Sequence, residues 1–262
     1  MRLFFVVFNI VVFFSLSSVH ASTPVYDGTV CAVSNVLSSA GVQKVDVIYE
    51  WRMWGRGQDR SKLPQKSAID AVFLEVTSRH IVLDIENWEG LGDSNHELVE
   101  KYTTVAKWAR TAIREKNIKI GFYGVVPIRD YWGAVLVNSS RNHVWKKGNL
   151  ERKLIANSVD ILYPSAYTFY KDIPQWIAFA EAQVSEARKM AEGKPVFLFI
   201  WPKFHDSNKL LRGNYIGDSY FKVQLDVARR LADGVVVWDK NDCSETAEWR
   251  QYLRNYLNAT GG

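Results

Sequence analysis

The stretch His80-Ile81-Val82-Leu83-Asp84-Ile85-Glu86-Asn87-Trp88 decides the interpretation of this 262-residue sequence. Its first half is almost continuously apolar, which is typical of a strand buried on both faces. Because side chains alternate along a strand, Asp84 and Glu86 project from one face and the intervening Leu and Ile side chains from the other. Two inward carboxylates are costly unless they have a function, so we interpret them as a catalytic pair. A solvent-facing pair, or an acid bound to a nearby Arg or Lys, is the structural alternative.

Other stretches have the same strand-like composition, and helical patterns separate them. The strand-like stretches are Val45–Trp51, Ile118–Val126, Val159–Tyr163, Val196–Trp201 and Gly234–Trp238, with weaker candidates at Val25–Val33 and Ala71–Val76. A capping box at Ser94–Glu97 opens a predicted helix that runs to about Lys116. Three further helices are predicted at Ile173–Glu192, Ser219–Ala232 and Ser244–Leu257.

This alternation predicts an α/β fold with a parallel sheet. No strand is followed by GxGxxG or GxxxxGK[ST], so a nucleotide-binding doubly wound sheet loses its main support. Polar and aromatic residues gather at the C-terminal ends of nearly all the strands, where barrel enzymes have their active sites. The sequence therefore predicts a compact (β/α)8 TIM-type barrel, either with all eight strands or distorted to seven.

The first 21 residues combine a basic start, an apolar run and small residues at Val19 and Ala21. This pattern predicts a secretory signal peptide that is cleaved after Ala21. A membrane anchor is the alternative, but the uninterrupted apolar run is shorter than the ~20 residues that a spanning helix needs. We therefore expect residues 22–262 to form a single secreted catalytic domain, a monomer that is not attached to a membrane.

Export also determines how the two cysteines are interpreted. An even pair in an oxidising compartment predicts a disulfide between Cys31 and Cys243, with two buried free thiols as the alternative. Asn138 and Asn258 begin Asn-x-Ser/Thr triplets, so we expect a glycoprotein.

Composition and histidine content narrow the function. The chain is 47% hydrophobic and 23% charged, which is ordinary for a globular protein. Its basic residues are dispersed, which argues against nucleic acid as a partner. A metal-dependent phosphodiesterase would need converging His and carboxylate ligands, yet the mature chain contains neither HxH nor HxxxH. A Ser-His-Asp hydrolase would need a GxSxG nucleophile elbow, and the sequence contains none. We expect no cofactor and no metal.

Four short segments, in the same order, resemble the hyaluronidase family (glycoside hydrolase family 56). They are Asp84-Ile85-Glu86-Asn87-Trp88, Gly121-Phe122-Tyr123 with the following Pro and Tyr, Tyr163-Pro164-Ser165-Ala166-Tyr167, and Gly234–Trp238 with the following Cys243. The resemblance implies a distorted barrel and retaining hydrolysis in which the 2-acetamido group of the substrate is the nucleophile. The chain is shorter than those enzymes, so the reaction type transfers better than the substrate.

The resemblance also implies a role for each matching residue. Glu86 would be the general acid and base, Asp84 would orient the acetamido group, and Tyr167 would hydrogen-bond its carbonyl oxygen. Trp238 would form a wall of the sugar site, and either Tyr131 or Tyr123 would supply a further contact. The remaining candidate sugar contacts are Trp88, Tyr163 and Trp201.

Together these features predict a secreted glycoside hydrolase that acts on N-acetylhexosamine-containing, hyaluronan-like glycans. The formal net charge of +5 and the run Arg52, Arg56, Arg60 and Lys62 suit an anionic glycan, although a solvated loop explains that run equally well. A catalytically silent glycan-binding barrel is the alternative function. It would use the same aromatic side chains and would not need the acid.

Overall fold

The computed structural model describes residues 23–32, 34–90, 95–114, 116–240 and 243–261. The predicted signal peptide lies outside the described residues. The strands are β1 (Val25–Asp27), β2 (Gln43–Lys44), β3 (Asp46–Tyr49), β4 (His80–Asp84), β5 (Lys119–Phe122), β6 (Phe197–Ile200) and β7 (Gly234–Val237).

Parallel pairing runs around a closed ring. The first strand, β1, pairs with β2 on one side and with β7 on the other, and β7 pairs with β6. β2 and β3 are two halves of one extended stretch, and β3 continues the ring to β4 and β5. Residues 162–165, which we call the bridging segment, close it through single parallel bridges to Tyr123 and to the β6 region. The predicted TIM-type barrel is therefore confirmed, with seven strand positions in the described part of the chain.

The helices are α1 (Asn35–Ser38), α2 (Glu50–Met53), α3 (Lys66–Leu74), α4 (Asn95–Ile113), α5 (Tyr131–Val135), α6 (Ser140–Glu151), α7 (Lys153–Ser158), α8 (Ile173–Ala191), α9 (Asp218–Leu231) and α10 (Glu248–Thr260). The four helices expected from the sequence correspond to α4, α8, α9 and α10. The structure adds the reason α8 starts where it does: the Asp172 side chain caps the Gln175 amide, and Pro174 lies in the first turn.

Several predicted strand boundaries are wrong. The candidate strand Ala71–Val76 lies mostly in α3, where Ile69, Val72 and Phe73 are buried with helical spacing. In the first candidate, Val25–Val33, the strand covers only Val25–Asp27. The stretch Val45–Trp51 turns into α2 at Glu50. Apolar composition alone did not separate a short strand from one face of a helix in these places.

Two groups of buried side chains hold the barrel together. Ile81, Leu83 and Ile85 pack outward with the helices, whereas Val82 points into the barrel, as the alternation along β4 predicts. The interior contains mainly aromatic rings, from Tyr26, Tyr123, Tyr163, Tyr167, Phe197, Phe199 and Trp201. Burial of these rings supplies hydrophobic stabilisation at the centre of the fold.

The chain termini of the barrel are joined covalently. Cys31, after β1, forms the predicted disulfide with Cys243, after β7, with the two Cα atoms 5.5 Å apart. The Glu245 carboxylate also accepts hydrogen bonds from the Asn35 and Val36 amides at the start of α1. The disulfide thus ties the loop after the first strand to the segment that leads into α10.

Both predicted glycosylation residues are exposed. Asn138 lies between α5 and α6 with a left-handed backbone (φ 65°), and Asn258 lies in the last turns of α10. Their modification remains a prediction. Among the described residues, no helix is both long and apolar enough to cross a membrane.

Replacement of Gly121 by Ala is expected to destabilise the fold strongly. A Cβ atom there would lie 2.1 Å from the Ile161 carbonyl oxygen and 2.7 Å from the Tyr163 ring. Because a backbone oxygen cannot move aside cheaply, we expect G121A to lose about 3 kcal/mol or more of unfolding free energy. Urea denaturation measures this loss. The control is G55A, whose new methyl group would meet only the flexible end of Gln58; equal stability of the two variants would contradict the packing argument.

The double variant C31S/C243S is expected to unfold at a lower temperature than the wild type. The bond closes a loop with a sequence separation of 212 residues. In the chain-entropy model its removal costs about 5 kcal/mol, because the unfolded chain regains that freedom. Thermal unfolding followed by circular dichroism gives the shift. Identical melting curves for variant and wild type would show that the bond contributes nothing to stability.

Candidate active site

A cavity of about 410 Å³ opens at the C-terminal ends of the strands. Its lining combines carboxylates, cations and aromatic rings: Asp84, Glu86, Asp206, Arg129, His205, Lys240, Tyr123, Tyr167, Phe199, Trp201, Trp238 and Val47. Six of the nine catalytic and sugar-binding candidates predicted from the sequence are in this list. The parallel barrel explains the convergence, because all the strands end at the same rim.

The acidic pair occupies two different environments. Asp84 is the last residue of β4, and its Oδ1 atom is buried with no hydrogen-bond partner among the described residues. Burial, and secondly the negative charge of Glu86, raises the pKa of Asp84 to about 8. Glu86 lies two residues further along, and 52% of its side chain is exposed. Asp84 therefore holds a proton at neutral pH although it belongs to an acidic pair.

Arg129 links the acidic pair to the aromatic side chains. Its Nη2 atom lies 2.7 Å from Glu86 Oε1, and its Nη1 atom donates to the Tyr123 hydroxyl at 2.9 Å. The guanidinium carbon also lies 5.4 Å from the centre of the Tyr123 ring. Its charge favours ionisation of Asp84 and so opposes the effect of burial. Sequence reasoning missed Arg129; the available signal was its place in the loop directly after β5.

Two buried tyrosines, Tyr123 and Tyr167, lie side by side in the cavity lining. The Tyr123 hydroxyl lies 3.1 Å from Ser165 Oγ, and the Tyr123 and Tyr167 rings are 5.5 Å apart. Burial raises the pKa of both tyrosines, so each keeps its hydroxyl proton at neutral pH. Tyr167 can therefore donate a hydrogen bond to a ligand in the cavity.

One side of the cavity is an aromatic wall. The Tyr167 and Trp238 rings stack with centres 5.6 Å apart, and Trp201 meets Trp238 edge-on at 4.9 Å. The Trp238 indole N–H donates to the Tyr49 hydroxyl at 2.8 Å, which fixes the plane of its ring. A rigid wall of this kind suits the apolar face of a sugar ring.

Behind this wall, the buried Asp239 carboxylate holds Trp201 in place. It accepts from the Trp201 indole at 2.9 Å, the Trp249 indole at 3.0 Å and the Lys203 ammonium at 2.8 Å. Its Oδ1 atom also accepts the Lys240 backbone amide. Sequence reasoning gave Asp239 no role, because two of its side-chain donors, Trp201 and Lys203, lie more than 35 residues away in the chain.

Three predicted sugar contacts lie away from the cavity. Trp88 is buried among outer side chains, where its indole donates to the Arg60 carbonyl at 2.8 Å, because the chain turns into a 3-10 helix after Glu86. Tyr131 opens α5 and donates to Gln175 at 2.7 Å. Tyr163 is fully buried in the barrel between Phe197 and Phe199, below the cavity. Of the alternatives Tyr123 and Tyr131, only Tyr123 lines the cavity.

The remaining polar lining residues form a separate group. Lys240 Nζ lies 2.8 Å from Asp206 Oδ2 at the rim. Burial, and secondly the charge of Arg129, lowers the pKa of His205, so this side chain is neutral at pH 7. Within the described ranges, no three His, Cys, Asp or Glu side chains are grouped in a way that could hold a metal ion.

Comparisons with known proteins match the fold but not the sequence. No protein-family model and no curated protein sequence matches the chain. The structure is similar to bee venom hyaluronidase, with a TM-score of 0.63 and 14% identity over 90% of this chain and 97% of that one. The same enzyme in complex with a hyaluronic acid tetramer gives a TM-score of 0.58 at 14% identity, over 90% of this chain and 96% of that chain.

A Cellulomonas fimi endo-β-1,4-mannanase double mutant has a TM-score of 0.50 and 12% identity, over 84% of this chain and 55% of that one. The protein therefore has a TIM-type fold found in glycoside hydrolases, and the predicted similarity to the hyaluronidase fold is confirmed. At these identities the similarity concerns the fold and leaves the reaction to be argued from the site.

The variant D84N is expected to gain stability over the wild type as pH rises. Between about pH 4 and pH 8 native Asp84 keeps a proton that the unfolded chain releases, so the contribution of Asp84 to wild-type stability falls across this window. Each pH unit corresponds to about 1.4 kcal/mol, and D84N should gain a few kcal/mol by pH 8.

Urea denaturation at pH 4, 6 and 8 measures this gain. D206N is the control, because Asp206 lies in the same cavity and the hydrogen bond with Lys240 lowers its pKa. Its stability relative to the wild type should not rise between pH 4 and 8. A pH-independent difference between D84N and the wild type would contradict the assignment of the proton to Asp84.

Proposed function

We propose that this protein is a secreted glycoside hydrolase that cleaves N-acetylhexosamine-containing glycans of the hyaluronan type. The observation that carries the proposal is the acidic pair at the end of β4, in a cavity that also contains Tyr167 and the Trp238 wall. The fold shared with bee venom hyaluronidase, which has been solved with a hyaluronic acid tetramer, supports this substrate class. The N-terminal sequence and the disulfide support secretion.

The mechanism uses the acetamido group of the substrate as the nucleophile. Its carbonyl oxygen attacks the anomeric carbon while Glu86 gives a proton to the glycosidic oxygen, and the bond to the leaving sugar breaks. The resulting cyclic oxazolinium ion is positively charged, and an ionised Asp84 stabilises it through the acetamido N–H. Tyr167 hydrogen-bonds the acetamido oxygen and holds it in line for the attack. Water then opens the ring as Glu86 takes back a proton, which retains the anomeric configuration.

The different environments of the two acids determine which of them holds a proton. The raised pKa of Asp84 means that the pair carries a proton up to about pH 8. For the reaction that proton must reside on Glu86, while Asp84 becomes the carboxylate that the developing positive charge attracts. The positive charge that forms on the substrate lowers the cost of ionising the buried Asp84. Proton transfer from Asp84 to Glu86 therefore accompanies the approach to the transition state, in which that positive charge develops.

A catalytically silent glycan-binding protein is the second candidate function. The ion pair between Glu86 and Arg129 favours it, because the Glu86 carboxylate is already bonded to a guanidinium and is not free to contact a glycosidic oxygen. In this alternative the cavity binds a sugar ring against the aromatic wall, and the acids only hydrogen-bond its hydroxyl groups.

The variant E86Q is expected to lose hydrolysis and keep sugar binding. Loss of the acid should reduce turnover by about 10²–10⁴-fold, the usual contribution of general acid catalysis. Wild type and E86Q are incubated with hyaluronan, chondroitin and chitin oligosaccharides, and mass spectrometry identifies the products. NMR of the first product determines whether the anomeric configuration is retained.

A surface variant, E181Q, is the matched control, because Glu181 pairs with Arg230 on the helical surface. It should cleave as fast as the wild type. Equal cleavage by E86Q and wild type would remove Glu86 from the mechanism. If all three proteins, the wild type included, bind the sugar and none cleaves it, the protein is the silent glycan binder instead.

A further inference from the structure

Arg129 combines a permanent charge with unused hydrogen-bonding capacity inside the cavity. Its guanidinium has five N–H donors, and the described bonds use one on Nη2 for Glu86 and one on Nη1 for Tyr123. About 30% of the side chain remains exposed, and it lines the cavity. A ligand there can reach the remaining donors.

Arg129 depends on Glu86 for its counter-charge, because the other charged side chains around the cavity do not supply one. The other titratable or charged side chains that line the cavity are Asp84 from β4, Tyr123 after β5, Tyr167 after the bridging segment, His205 and Asp206 after β6, and Lys240 after β7. Lys240 and Asp206 pair with each other, and His205 is neutral at pH 7. Asp84 holds a proton. Among the described ion pairs, the carboxylate that balances Arg129 is Glu86.

Proton donation by Glu86 conflicts with this pairing. A protonated Glu86 no longer neutralises the guanidinium, which stays charged at any physiological pH. Asp84 is ionised when Glu86 holds the proton, but among the described ion pairs Arg129 contacts Glu86 and not Asp84, so the largely buried guanidinium loses the carboxylate it is bonded to, which is costly. The cost disappears if the substrate itself brings an anionic group to Arg129, and a guanidinium fork matches a sugar carboxylate in a bidentate geometry.

We infer that Arg129 is a specificity-determining residue that exchanges the Glu86 carboxylate for a carboxylate of the bound glycan. The exchange selects acidic glycans over neutral ones and frees Glu86 to accept a proton. This inference rests on the proposed glycan binding in the cavity. It does not require that the protein hydrolyse the glycan.

A double-mutant cycle tests the exchange. Calorimetry measures the dissociation constant of a hyaluronan tetrasaccharide, and of its neutral methyl ester, for wild type, E86Q, R129Q and E86Q/R129Q. Titrations are run at 4 °C, and mass spectrometry checks that the sugar remains intact. The ester has the same backbone and linkage, so a difference between the two ligands reports the carboxylate groups alone.

The exchange predicts a specific pattern of affinities. E86Q should bind the acidic tetrasaccharide about tenfold more tightly than the wild type, because Arg129 no longer has to leave Glu86. In the R129Q background the same change should have a much smaller effect. The neutral ester should bind all four proteins within about twofold. R129K, which keeps the charge but lacks the fork, should retain a weaker preference for the acid.

Other results would overturn the inference. If E86Q strengthens acidic binding equally with and without Arg129, the gain reflects only the loss of repulsion by Glu86. If R129Q weakens the binding of the acidic tetrasaccharide and of its methyl ester equally, Arg129 has a structural role. If neither ligand binds to any of the proteins, both the inference and the proposed glycan site fail. Thermal unfolding of each variant shows that it is folded, and R129K gives a second test if R129Q is not.

The test separates this inference from the proposed function. If the protein prefers the acidic ligand through Arg129 but cleaves neither ligand, the inference holds and the proposed hydrolase activity fails. If it cleaves hyaluronan while Arg129 contributes nothing to binding, the hydrolase activity holds and the inference fails. R188Q is the matched control, since Arg188 pairs with Asp233 on the outer surface and should not change binding of either ligand.

Discussion

Closure of a parallel barrel with seven described strand positions determines where the functional groups of this protein lie. The bridging segment completes the ring between β5 and β6. Rings fill much of the interior, and Gly121 leaves the space that the Tyr163 ring and the Ile161 carbonyl occupy. Because the strands all point the same way, the loops that follow them converge over this aromatic floor. The acidic pair is carried on that floor at the end of β4.

The site depends on the different surroundings of two acids on one strand. Asp84 is enclosed by the barrel and keeps its proton, whereas Glu86 lies at the mouth of the cavity and pairs with Arg129. Separation of this kind gives two chemically identical groups two roles. Arg129 ties Glu86 to Tyr123, and the buried Asp239 fixes Trp201 from behind. Ion pairing and hydrogen bonding thus orient Glu86 and the aromatic wall.

Sequence reasoning worked where the pattern is local. The alternation along β4 correctly placed Val82 inward and Leu83 outward, and the long helices followed from caps and periodicity. The fold class and the pairing of Cys31 with Cys243 were also predicted. The failures were short apolar stretches such as Ala71–Val76, where strand and helix patterns coincide over a few residues.

The sequence by itself determined the acidic pair, the barrel and most of the aromatic lining, because each has a local signature at a strand end. The tertiary structure alone decided which rings face the cavity. Trp88 and Tyr131 follow strands as Tyr123 does, yet a 3-10 turn and the start of α5 direct them into other packing. The tertiary structure also decided that Arg129, in the loop after β5, forms an ion pair with Glu86, which follows β4. The physical reason is that a loop's path depends on the neighbours it packs against, and those neighbours are distant in sequence.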